Sequence, residues 1–144
     1  MFDEMFGPVV ARALTILGEA SGDAFSHILD FEPKGTLDDD IPKVCRDNSQ
    51  DVLISLNVRD FGAKKVLYQA LLSAGVSVIV VRPGNVKMTD SAQLSIMSSK
   101  YPHFSKKCRG AAVPLLVRVT QSDVTERTLD ELIKEIQSGD RRRP

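Results

Sequence analysis

Long apolar runs are missing from this chain. Nowhere do about 18 apolar residues follow one another, the length a helix needs to cross a bilayer, and no basic segment leads into an apolar core in the manner of a secretory signal. The expectation is a soluble, cytoplasmic protein with no membrane partner. Charge of one sign is not in excess either. Nineteen Lys plus Arg offset nineteen Asp plus Glu, so no whole-molecule field marks the chain for nucleic acid or anionic membranes, although a local patch can still do so. Cysteine is scarce: Cys45 and Cys108 stand apart, without CxxC or Cys/His spacing, and read as inert thiols. Neither GxGxxG nor GxxxxGK followed by Ser or Thr occurs, which argues against dinucleotide and P-loop nucleotide binding. Internal repeats and low-complexity segments are absent. The 144 residues suit one domain with a real core, read here as 1–138 with a basic tail over 139–144.

What is present is an alternation of strand and helix patterns. Residues 1–6, with Phe2 and Phe6 around Asp3 and Glu4, read as a first strand, and Gly7-Pro8 opens a helix with Val10, Ala13, Leu14 and Leu17 on one face. Residues 25–31 read as a second strand. A short helix is expected from Asp38 to about Asn48, with Ile41, Val44 and Cys45 inward. The apolar run Val52 to Leu56 is the clearest strand. Ala63, Val66, Leu67, Ala70, Leu71 and Ala74 form a helical stripe closed by Gly75. Val76 to Val81 reads as a fourth strand, about 90–99 as a helix, 113–119 as a fifth strand that Pro114 confines to an edge or a strand start, and about 126–137 as a last helix. This order predicts a three-layer α/β sandwich with a largely parallel sheet of about five strands, whose carboxyl ends share one edge.

Chemistry gathers at that edge. Asp3 and Glu4 close the first predicted strand, Asp38 to Asp40 open the second helix, and Asn57, Arg59 and Asp60 follow the clearest strand. Polar residues just past strand carboxyl ends are where open α/β sheets bind ligands. Several carboxylates at one edge repel each other unless a cation joins them, and Mg²⁺ or Mn²⁺ suits hard oxygen donors. Taken singly, Asp38 to Asp40 are also well explained as helix-start charges. Lys64 and Arg82 are the cations best placed to meet phosphate, and Ser55 can either hydrogen-bond a ligand or fill the strand. His27, inside an apolar segment, reads as a satisfied core histidine.

The motif order carries a resemblance. Asp-Glu on the first strand is followed by Gly-Thr-Leu-Asp-Asp-Asp-Ile, then by Val-Leu-Ile-Ser-Leu-Asn-Val-Arg-Asp-Phe, then by Ala-Leu-Leu-Ser-Ala-Gly-Val-Ser-Val-Ile-Val-Val-Arg-Pro. Over roughly residues 1–120 this is similar to small PIN-like proteins related to VapC toxins, the ribonucleases of toxin–antitoxin modules. The resemblance implies a PIN-like fold and a metal-dependent endoribonuclease using Mg²⁺ or Mn²⁺. Its partners would be an RNA substrate and a small antitoxin protein, with room for a homodimer. Carried over residue by residue, it makes Asp3, Asp38, Asn57 and Asp60 the catalytic set and Asp3, Asp38 and Asp60 the metal ligands. Ser55, Lys64 and Arg82 become substrate contacts. The chain departs from the pattern here: Asn57 stands where the family has a third aspartate, and Asp60 falls one residue later than the family's close-spaced second acid would. A carbonyl ligand remains and one negative charge is lost, so the alternative implied is a catalytically degenerate PIN-like module that binds protein or RNA.

Overall fold

A computed structural model describes residues 1–56, 61–84 and 87–141. The chain is α/β, with helices α1 (Pro8–Gly18), α2 (Ile41–Asp47), α3 (Phe61–Ser73), α4 (Asp90–Arg109) and α5 (Leu129–Arg141). The strands are β1 (Val52–Leu56), β2 (Ser77–Val81), β3 (Leu116–Val119) and β4 (Val124–Glu126). They lie in the order β1-β2-β3-β4, the first three parallel and β4 antiparallel to β3. The expected sheet of about five largely parallel strands is therefore corrected to four strands of mixed direction among the described residues.

Alternation along the strands makes the three layers. Leu53, Val78, Val80 and Leu116 face one way, into a cluster with Val44 and Cys45 of α2, Leu67, Tyr68 and Leu71 of α3, and Leu132 of α5. Ile54, Leu56, Ile79, Val81, Val117 and Val119 face the other way, onto Val10 and Leu14 of α1 and Ile96, Met97, Tyr101 and Phe104 of α4. Val and Ile dominate because both faces are covered and β-branched side chains fit the pleat. Each such side chain taken from water stabilises the fold by roughly 1.5–3 kcal/mol.

The two predicted amino-terminal strands are not strands, and local hydrogen bonds explain why. Phe2 makes single parallel bridges to Ile54 and to His27. The chain then turns, because the Asp3 carboxylate accepts the Met5 N–H at 3.0 Å and side-chain capture of the backbone competes with the sheet ladder. At His27 the ring Nδ1 accepts the Leu29 N–H at 3.1 Å and the His27 N–H donates to Asp30 at 2.9 Å, closing a 3₁₀ turn over Ile28–Asp30. With Nδ1 accepting, Nε2 carries the proton and donates to the Phe6 carbonyl at 2.7 Å. His27 is the satisfied core histidine that the sequence suggested.

Three further differences have physical causes. Helix α4 runs 20 residues, straight through Pro102, because Met97, Tyr101 and Phe104 on either side of it are buried against the sheet. Strand β3 begins only after Pro114, and β4, not foreseen, forms the edge beside it. In α3 the buried stripe is Leu67, Tyr68 and Leu71, while Val66 is 66% exposed; the helix is rotated from its expected facing. Gly75 ends it as expected, at φ 84°, where the Val76 N–H reaches back to the Leu71 carbonyl at 2.9 Å.

Candidate acidic site at the carboxyl edge of the sheet

Asp3 is set into the edge by backbone pairing with β1. The Ile54 N–H donates to the Met1 carbonyl at 2.8 Å and the Asp3 N–H to the Ile54 carbonyl at 3.0 Å. That pairing delivers the Asp3 carboxylate to the end of β1, where it accepts the Leu56 N–H at 3.2 Å as well as that of Met5. Ser55 adds a hydroxyl contact, and its Oγ lies 2.9 Å from the Tyr68 hydroxyl. Asp3 is 7% exposed. Burial outweighs the hydrogen bonds and the nearby Lys64 charge, and pushes its pKa up from 3.8 to about 6.

Glu4 does different work. Its Oε1 accepts the Gly35 and Thr36 N–H groups at 2.7 and 3.1 Å, which ties the loop before Asp38 to the turn after Asp3. Asp38 begins a 3₁₀ turn that leads into α2, and its Oδ1 accepts from the Lys64 ammonium at 3.2 Å. Asp39 and Asp40 are exposed to solvent. Lys64, in the first turn of α3, is the group common to both acids: it bonds Asp38, and its charge favours the ionised form of Asp3.

The remaining expected residues divide as follows. Ser55 is fully buried and turned toward Tyr68 and Asp3. Arg82 stands at the end of β2, its backbone N–H on the Val119 carbonyl at 2.8 Å, and lines a 400 Å³ hollow with Arg118, Thr120 and Glu135. Asn57 and Asp60 lie outside the described residues. Among the described residues no three His, Cys, Asp or Glu side chains are grouped to hold a metal ion. Asp3 and Asp38 share Lys64 as a neighbour there, and their oxygens have the hard donor chemistry that Mg²⁺ and Mn²⁺ take. A separate 380 Å³ hollow, bordered by Glu32 to Leu37 and Lys43, includes neither of them.

Two supports of this edge were not singled out from sequence. Tyr68 meets Ser55, and the signal for it was only a tyrosine one position off the expected α3 stripe. Gln93 of α4 is buried. Its Oε1 accepts the Gly7 N–H at 2.9 Å, and its Nε2 donates to the Met5 and Met88 carbonyls at 3.3 and 3.1 Å, clamping the turn that follows Asp3. Elsewhere, Cys45 and Cys108 are free thiols whose pKa values burial pushes up, as suits inert groups. No helix among the described residues is long and apolar enough to cross a membrane. In comparisons with known proteins, no family model, no curated protein and no solved structure matches the chain.

Proposed function

We propose that this chain is a PIN-like, metal-dependent endoribonuclease domain, the toxin of a toxin–antitoxin pair, with RNA as substrate and a small antitoxin protein as partner. The observation that supports the reading is that Asp3 and Asp38 share Lys64, which bonds one and lies within electrostatic reach of the other. They are 35 residues apart in sequence, yet both are linked to Lys64 at the carboxyl edge of the parallel strands. Asp3 and Asp38 would hold a Mg²⁺ or Mn²⁺ ion, with Asp60 as a further ligand and Asn57 as a carbonyl donor. Such an ion supplies Lewis acidity and charge compensation at a phosphodiester. The chain's own residues do the positioning: backbone N–H groups fix Asp3, Glu4 fixes the approach to Asp38, and Arg82 meets phosphate at the next strand end.

The test is cleavage of varied RNAs by purified protein in Mg²⁺ or Mn²⁺, native against Asp38→Asn. Removing a ligand carboxylate is expected to lower the rate by at least about a hundredfold while leaving the circular dichroism unchanged. Uncut RNA from the native protein would reject the nuclease and leave the second reading, a PIN-like module that binds RNA or protein without cleaving it. Asn57, one carboxylate short of the family pattern, favours that alternative.

A further inference from the structure

Lys64 is in an unusual place for a lysine. It sits in the first turn of α3, a helix with no acidic residue in that turn, where the helix dipole disfavours positive charge. It precedes Leu67, Tyr68 and Leu71 by three, four and seven residues, so it shares their inward stripe instead of the solvent face. Its side chain is 29% exposed, against 36% for Asp38, and its ammonium is 3.2 Å from the Asp38 carboxylate. Neighbouring Lys65 carries the same charge on the exposed side of the helix. Stabilisation of the helix therefore does not account for Lys64; neutralising the acids at the sheet edge does.

We infer that Lys64 is the resident counter-cation of this site, and that a divalent ion binds Asp38 only by displacing the Lys64 ammonium. The inference rests on the metal-site reading proposed above and assigns Lys64 a place in cation exchange instead of at the RNA phosphate. An ammonium and a divalent ion repel each other and seek the same carboxylate oxygens, so the lysine lowers metal affinity and keeps the acids compensated while no metal is bound.

The experiment is Mn²⁺ titration of the whole protein by calorimetry and electron paramagnetic resonance. It compares native protein, Lys64→Met, the smaller change Lys64→Gln as a safeguard against misfolding, Lys65→Met and Asp38→Asn. Lys64→Met and Lys64→Gln are expected to tighten Mn²⁺ binding at least tenfold, Lys65→Met less than twofold, and Asp38→Asn to abolish it. Binding by the Lys64 variants alone would also support the inference, with the native site locked by its own lysine. If native protein binds Mn²⁺ and the Lys64 variants bind it no better, or if Lys65→Met tightens it equally, the inference is overturned while the metal site stands. If no variant binds Mn²⁺, the metal reading and the inference fall together.

Discussion

Asp3 shows how a single side chain can be both supported and penalised. Two backbone N–H groups and a serine hydroxyl favour its ionised form, yet burial costs more, and the carboxyl titrates near 6. The consequence for stability has a definite sign. A carboxyl whose folded pKa lies above its unfolded value of 3.8 binds its proton more tightly in the fold. Stability therefore declines as pH rises from about 4 to about 6, and the full penalty, on the order of 3 kcal/mol, stands above that range. In metal-free protein with chelator, urea midpoints of native and Asp3→Asn are expected to diverge across this window, the variant lacking the native decline. Parallel pH profiles for the two proteins would show that Asp3 is not the titrating group. The sequence offered this residue as a candidate because it closes a predicted first strand and matches the first acid of the PIN-like motif order. It could not show that the acid would bend its own chain, since that depends on the Met5 N–H meeting the carboxylate.

At the scale of elements, continuous apolar runs were readable and edges were not. Val52 to Leu56 and Ser77 to Val81 are strands because nothing else buries both faces of such a run. The segments around Phe2 and His27 have comparable apolar content but carry Asp or His side chains that satisfy the backbone locally, and only bridges remain. The facing of α3 escaped for a different reason: Val66 and Tyr68 are both plausible inward residues, and the choice is made by Ser55 across the interface. Gln93 belongs to this scale too, as the joint between α4 and the turn that carries Asp3. Gln93→Leu keeps the volume but leaves the Gly7 N–H and the Met5 and Met88 carbonyls without that partner. A loss of about 1–3 kcal/mol in urea unfolding is expected, since an unsatisfied buried group costs roughly 1–3 kcal/mol and these three bonds are part-buried. Gln69→Leu, on the exposed face of α3, should stay within about 0.5 kcal/mol of native.

The molecule as a whole depends on how its layers are joined, and the carboxyl edge has two kinds of joint. At Asp3 the joint is acidic and answered by Lys64. Two strands away, Arg118 reverses the arrangement: a cation on β3, 12% exposed, pairs with Glu135 on α5 and with Asp123 at 3.1 Å. Leu116 and Leu132 provide the apolar part of the same contact. Among the described residues Arg118 Nε and Glu135 Oε2 are buried without hydrogen-bond partners, the latter meeting only the Arg127 guanidinium at 3.8 Å, so the pair recovers less than its desolvation requires and serves geometry more than stability. That view makes a prediction in two parts. Glu135→Leu alone should cost about 2 kcal/mol, because Asp123 only partly compensates the guanidinium left behind. The double variant Arg118→Met/Glu135→Leu should return to within about 1 kcal/mol of native, since apolar packing replaces a poorly satisfied pair. Urea unfolding of the four proteins in the cycle measures both. A double variant less stable than Glu135→Leu would mean that the guanidinium contributes net stability through Asp123. The β3–α5 contact would then be electrostatic at its centre, as the Asp38–Lys64 contact is.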